Sequence, residues 1–391
     1  MRKLYQRLSK FFHQKQIQQA VKKCDIMIDK HINKHLLNIK PRAPKLNALI
    51  KIHKENEPVR LVVNNVQAPS YKITKYLNKR LNNLINLPNT YTVKNSYEIV
   101  QELNNIQVNK HNRMITLDIK DLYVNLPVKN ILQVHKFWLN KHYNNNTITE
   151  QTLYLLKVIL KQNYIQYNNQ FFQPEKAIAM GSPISSTIAE IYLQFLEEKY
   201  KKQWLENKGI IYCKRYIDDI LIIFYQNKTD EKTILNHMNN IDKHLEFKLS
   251  EEENNTINYL DLSIHRNTNS IDLGIYRKPT RTDVTIQFSS NHPLEHKLPA
   301  FNFYINRMIT LPITKQAKQQ EWKIILAVAQ NNGFPLHIIH NLKKKLIVKK
   351  QKLPTTTQQA KKWVTFSYHS PLIRKITNLF KHSNLNIALH A

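Results

Sequence analysis

The sequence predicts an α+β fold, and three observations carry that expectation. Apolar residues recur at helical spacing near both ends of the chain. The middle holds three strand-like apolar runs, Met114–Ile119, Ile210–Ile217 and Ile220–Tyr225. Strand and helix do not alternate in the regular way that builds a parallel βαβ sheet.

The elements follow in order. Residues 1–38 read as a basic helical region, with Leu4, Leu8, Phe11 and Phe12 and then Ile26, Ile28 and Ile32 on its apolar side. Residues 41–68 read as extended, broken by Pro41, Pro44 and Pro58, with a Val-rich run at Leu61–Val63. Between the first two central strands lies helix, including residues 186–200, where Ile184, Ile188, Ile191 and Phe195 share a face. Ser182 is placed to cap that helix and Pro183 to open it, since the first helical residue needs no N–H. From Asn291 onward the pattern is helical again and includes the clusters Lys343–Lys345 and Lys349–Lys350.

A chain of 391 residues is long enough for two or three packed domains. With 42% apolar and 22% charged residues it has a globular balance. Its four glycines lie too far apart to write a dinucleotide fingerprint or a phosphate-cradling P-loop. Cys24 and Cys213 are isolated, which excludes a disulfide framework and a cysteine zinc site and fits a reducing compartment. No apolar run approaches a membrane span, and the N-terminus has no apolar signal core. The net charge of +31 points to a polyanion, nucleic acid before acidic lipid. A lysine-rich base composition is the other source of such a charge.

Three segments carry chemistry. In Arg215-Tyr-Ile-Asp-Asp-Ile-Leu-Ile-Ile-Phe224, Asp218 and Asp219 stand between two apolar runs with no Gly or Asn to make the turn. Burying such a pair beside a core is costly unless a cation compensates it. A hairpin tip presenting both acids to divalent metal is one solution, and an idle solvated turn is the other. In Ile115-Thr-Leu-Asp-Ile-Lys-Asp-Leu-Tyr123, Asp118 ends a strand run, again as a solvated strand end or as a ligand. Together, Asp118, Asp218 and Asp219 make the carboxylate set that a two-metal phosphoryl-transfer site requires, with Mg²⁺ taking its remaining oxygens from water and substrate phosphates. In Ala179-Met-Gly-Ser-Pro-Ile-Ser-Ser186, Gly181 at a loop-to-helix junction suggests close backbone approach to a ligand, beside the plainer reading of a capped helix start.

In this order the three segments resemble the palm motifs of the reverse transcriptases. The likeness is to the Penelope-like retroelement branch, related to telomerase, through Lys51-Ile-His-Lys54, Pro58-Val-Arg60, Tyr259-Leu-Asp-Leu-Ser-Ile-His-Arg266, Ile275-Tyr-Arg-Lys-Pro-Thr-Arg-Thr-Asp283 and Ser290–Lys297. The stretch Ile373–Lys381 is similar to that family's connector before a GIY-YIG endonuclease, a domain the chain is expected to lack. Gly274-Ile-Tyr276 reads as strand and not as that nuclease.

The resemblance implies a right-hand polymerase with a basic helical N-terminal region at 1–40, fingers at 41–110 and a palm at 111–265. A palm–thumb connection at 266–290 and a helical basic thumb and connector at 291–391 complete it. It implies RNA-directed DNA synthesis from a DNA primer with dNTPs, no membrane, and action in the nucleus. Asp118, Asp218 and Asp219 become the ligands of two Mg²⁺ ions, with Mn²⁺ as a substitute. Tyr123 becomes the sugar gate, Gly181 a support for the nucleotide, and Arg60 with Lys51 or Lys54 the triphosphate clamp. Tyr259, Leu260 and Asp261 fall at the primer grip, and Lys248 is a weaker candidate for protonating pyrophosphate. Met180 stands where many reverse transcriptases have Gln. A nucleic-acid-binding remnant without activity and an RNA-dependent RNA polymerase are the rival readings. The charge is also uneven: residues 1–54 carry +12, residues 284–391 carry +14 and the middle only +5, as expected if the two ends line a duplex channel.

Overall fold

The computed structural model describes residues 2–4, 10–50, 59–143, 145–168, 170–173, 178–201, 209–351, 362–368, 372, 378–380 and 385–390. The chain divides into two compact units, one of residues 1–94 and 111–257 and the other of residues 95–110 and 258–391.

The first unit is organised on a four-stranded sheet. Its strand order is Ile210–Tyr216, Asp219–Tyr225, Asn112–Ile119 and Phe247–Glu251, and every neighbouring pair is antiparallel. Along Asn112–Ile119 the residues Ile115, Leu117 and Ile119 face one side and join Ile220, Ile222 and Phe224 in the main core. Helices Tyr71–Leu84, Val128–His142, Asn146–Lys161 and Ser185–Leu196 supply much of that core, with Trp138 fully buried among them. His135 is also fully buried. Its Nδ1 lies 2.7 Å from the Ile131 carbonyl oxygen, and burial pushes the ring down to about 4.

A second sheet in this unit pairs the predicted extended segment as a hairpin, Lys45–Ile50 with Val59–Asn64. The N-terminal region departs from the expected helix. A helix spans Lys10–Lys23, and turns follow to residue 37. Gln151 explains the break, because its Oε1 accepts from the Met27 amide at 2.9 Å and its Nε2 donates to Asp25 at 3.0 Å. A side chain thus takes an amide that would have continued the helix, while Cys24, Met27 and Ile28 remain buried.

The second unit holds a three-stranded sheet of Thr256–Tyr259, Leu262–Arg266 and Ile271–Ile275, the first strand starting at the unit boundary. Gly274 lies opposite Ser263 in it, so the strand reading holds for Gly274 and Ile275, with Tyr276 just beyond the strand. Helices Pro299–Thr310, Lys315–Asn331 and Leu336–Gln351 pack around Phe301, Ile305, Ile325 and Phe334. Thr314 caps the second of them through the Ala317 amide. The C-terminal expectation of helix is corrected beyond this point. Lys362–Ser367 and Leu385–His390 form a parallel strand pair, consistent with the β-branched and aromatic content of Trp363-Val-Thr-Phe366. Most of the Ile373–Lys381 connector lies outside the described residues.

Candidate active site

The sheet brings the predicted carboxylates to one place. Asp118 ends the central strand and is the direct cross-strand partner of Asp219. Asp218 sits one residue away in the turn, and its carbonyl accepts from the Ile119 amide at 3.0 Å. On the other flank Asp118 pairs with Lys248, and Asp219 pairs with Tyr216. Cross-strand partners share a face, so Tyr216, Asp219, Asp118 and Lys248 form one row. Asp118, Asp218 and Asp219 are all half-buried.

Like charges set directly opposite each other in a sheet are destabilising without a cation between them. The donor set therefore fits a hard divalent ion, which takes carboxylate oxygens and keeps water and phosphate in its other positions. Among the described residues, no group of three or more His, Cys, Asp or Glu side chains is already gathered for a metal. The backbone sets two donors side by side and the third next in sequence.

The turn itself is unusual. It joins its strands through Ile217 and Asp218, and Ile217 has φ of +56°. That left-handed conformation is disfavoured for a β-branched residue, and tight hairpins normally place Gly or Asn there. Arg215 braces it. The Arg215 side chain is 1% exposed, and its Nη1 donates to the Ile217 carbonyl at 3.0 Å. The guanidinium also binds Glu190 through Nη2 at 2.8 Å, Glu197 through Nε at 2.6 Å and Thr92 Oγ1 through Nη2 at 3.0 Å. Burial alone would lower the Arg215 value, but Glu197 and Glu190 outweigh it and raise it. Burial likewise opposes ionisation of Glu190, and the Arg215 contacts overcome that and hold its carboxyl below the usual range.

Sequence reasoning missed this network, although a lone arginine inside an apolar strand was its visible sign. Glu190 and Glu197 are spaced to face Arg215 together, two turns apart. The expected helix at 186–200 runs from Ser185 to Leu196 and continues as a π-helix, Glu197–Lys201, with Glu197 at its start. Such insertions recur at functional sites.

Tyr123 and Gly181 are joined to the same region. The Tyr123 carbonyl accepts from the Ile178 amide at 2.7 Å, and Met180 accepts from Val63 at 2.8 Å. Tyr123 is half-buried; burial, then Asp218 and Glu190, raise its phenol. Gly181 has φ of +104°, and a Cβ there would stand 2.3 Å from the Val63 carbonyl oxygen. The close approach expected from the sequence is thus made to the chain's own strand. Ser182 does not cap the helix. Its amide donates to Ala179, and the helix begins after Ile184 without a side-chain cap. Arg60 is exposed on the strand that contains Val63. Lys51 and Lys54 lie outside the described residues.

In the second unit the predicted primer-grip residues form another two-residue turn. Tyr259 is buried, Leu260 has φ of +56°, and Asp261 accepts from the Ser96 hydroxyl. Arg307 binds Asp261 at 3.3 Å and lies 3.8 Å from Glu321, which itself binds Arg277 through both oxygens. Burial lowers the Arg307 value. The same unit has an open cavity of about 610 Å³ lined by Lys315, Lys318, Lys343 and Lys350 over Trp322 and Met308. No carboxylate lines it among the described residues, and the Lys343 ammonium sits 3.9 Å from the centre of the Trp322 ring.

Residues 52–258, just over half of the chain, match the family described as reverse transcriptase (RNA-dependent DNA polymerase). The chain belongs to that family. Residues 285–344 match the animal helix-turn-helix domain. The sequence finds no match among curated proteins. Among solved structures it is similar to apo telomerase from Candida tropicalis at 13% identity and a TM-score of 0.49, over 80% of this chain and 65% of that one. It is similar to telomerase from Candida albicans in complex with the TWJ fragment of telomeric RNA at 10% identity and a TM-score of 0.48, over 80% and 61%. The chain spans less than two thirds of the length of either.

Proposed function

We propose that this chain is an RNA-directed DNA polymerase of a Penelope-like retroelement, extending a DNA primer on an RNA template with dNTPs. The observation that carries the reading is the pairing of Asp118 with Asp219 across the sheet, with Asp218 in the adjoining turn. Asp118, Asp218 and Asp219 would hold two Mg²⁺ ions. When bound, such ions lower the pKa of the attacking primer hydroxyl and offset the charge on the departing pyrophosphate. The protein's own residues position the reactants. Tyr123, held through its carbonyl to the loop before Gly181, packs against the sugar and disfavours a 2′-hydroxyl. Arg60 binds the triphosphate from the fingers, where its planar fork suits phosphate oxygens. Lys248, in the row beside Asp118, would be the weaker contributor, protonating the departing pyrophosphate. The basic helices after Pro299 act as a thumb whose lysines contact phosphates without reading sequence. Action in the nucleus belongs to the same proposal.

Primer extension tests it directly, with RNA and DNA templates compared and dNTPs compared with rNTPs. The reading requires DNA synthesis on RNA from dNTPs. Extension with rNTPs alone would favour an RNA polymerase. Template binding with no extension under either condition would identify a binding remnant.

A further inference from the structure

We propose that Arg215 is a positioning residue for the carboxylate turn: clamped by Glu190 and Glu197, it holds Ile217 in its left-handed conformation and thereby fixes the placement of Asp218 and Asp219. The inference rests on the polymerase reading of those two aspartates.

Every N–H of the Arg215 guanidinium has an acceptor. Nε donates to Glu197; Nη1 donates to Glu190 at 3.0 Å and to the Ile217 carbonyl at 3.0 Å; Nη2 is shared among Glu190, Glu197 and Thr92. Its backbone is fixed as well. The Arg215 amide donates to Tyr91 at 2.7 Å, and the Arg215 carbonyl accepts from Val93 at 3.0 Å. On one side of Arg215 and Glu197 the wall is apolar, formed by Ile119, Leu193, Ile220 and Phe247, and leaves a cleft of only about 20 Å³. That is room for a single water, too little to hydrate an ion pair.

A buried ion pair is poor evidence for stability, because desolvation cancels much of its attraction. Its value here lies in what else it holds. One guanidinium proton goes to the carbonyl of Ile217, a β-branched residue held in the left-handed conformation immediately before Asp218. A lysine could supply charge but not three fixed directions at once. Glu190 extends the brace to the helix that follows the Gly181 loop, and its charge is felt at Tyr123. The Ile217–Asp218 turn and the helix after the Gly181 loop therefore share one buried cation.

The test uses the full chain with Arg215→Lys, Glu197→Gln, Ile217→Gly and the double variant Arg215→Lys/Ile217→Gly. A misplacement of the reacting groups by about 1 Å costs on the order of 100-fold in rate, so Arg215→Lys should lower kcat by about 50-fold. The KM for primer–template should stay within about twofold, as uniform binding is untouched. The Mg²⁺ concentration for half-maximal extension should rise about tenfold, following poorer donor placement. In metal-free protein, amide hydrogen exchange at residues 217–220 should accelerate about tenfold as the turn loosens.

Ile217→Gly, which tolerates the left-handed backbone without a brace, should recover about fivefold of the lost rate in the Arg215→Lys background. A purely structural ion cluster predicts loss of melting temperature with no such recovery and no local change in exchange, and that outcome overturns the proposal. If Arg215→Lys does not fold, Glu197→Gln carries the same comparison. If the unaltered chain extends no primer, the polymerase reading fails by itself, and the exchange experiment still decides whether Arg215 holds the turn.

Discussion

The turn at Ile217–Asp218 and the turn at Leu260–Asp261 share a backbone plan. Each joins consecutive strands through two residues, each follows a tyrosine, and each places a bulky aliphatic residue at φ of +56° ahead of an aspartate. They differ in where the neighbouring arginine binds. At the first turn Arg215 is satisfied by Glu190 and Glu197 and touches the turn only through the Ile217 carbonyl. At the second, Arg307 and Ser96 bind the Asp261 carboxylate itself. A cation spent on a carboxylate turns it into a structural element. A cation fixed to the backbone braces the turn and does not neutralise its aspartate.

Substituting the aspartates breaks this comparison most sharply. Asp219→Asn should abolish primer extension, by at least about 1000-fold or about 4 kcal/mol of barrier, with template binding by fluorescence anisotropy preserved. Asp261→Asn should cost no more than about tenfold, through primer affinity. Equal losses would erase the distinction between the turns. The core beneath the first unit gives the next effect. The neutral His135 ring has a folded value of about 4 against an ordinary 6.5, so the unfolded chain takes up a proton first as the pH falls. Stability is full above pH 6.5 and declines as pH drops toward 4, by about 3.5 kcal/mol at most given ~1.4 kcal/mol per unit. Urea midpoints across that range measure it, and His135→Leu should flatten the slope.

Smaller effects sharpen the contrast. Tyr123→Ala should relax discrimination against rNTPs by about 100-fold, the usual yield of one steric contact; competition between labelled dNTP and rNTP reads it. The smallest separates the two strained residues. Ile217 is β-branched and 37% exposed, so Ile217→Gly relieves the backbone at little cost in packing. It should raise stability by about 0.5–1 kcal/mol in denaturant titration. Leu260 is half-buried, and Leu260→Gly should be neutral or destabilising because it gives up apolar contact.

Much of this was legible in the sequence. The central strands appear within two residues of their predicted limits because β-branched runs bounded by polar residues have few other uses. Asp118, Asp218 and Asp219 were marked by being acids inside such runs. The rest depended on partners far away along the chain. The helix stop at Lys23 comes from Gln151, and the brace of Ile217 comes from Glu190, Glu197 and Thr92. Gly181 was legible as a close approach, but its counterpart, Val63, was not. Left-handed positions were also hidden. Four of them fall on Asn89, Asn168, Asn254 and Asn255, which turn chemistry would anticipate, but Ile217 and Leu260 break the rule that a sequence reader applies.

Cys24 and Cys213 are both buried and no disulfide joins them, and burial lifts the Cys24 thiol to about 11. Neither side chain is accessible to solvent, and only an accessible, deprotonated sulfur reacts. A cysteine introduced on the surface, for example at the exposed Phe303, would then be the sole thiol open to a maleimide dye. The unaltered background is therefore ready for site-specific labelling, and the helices Pro299–Thr310, Lys315–Asn331 and Leu336–Gln351 could be followed by fluorescence without first removing a native cysteine.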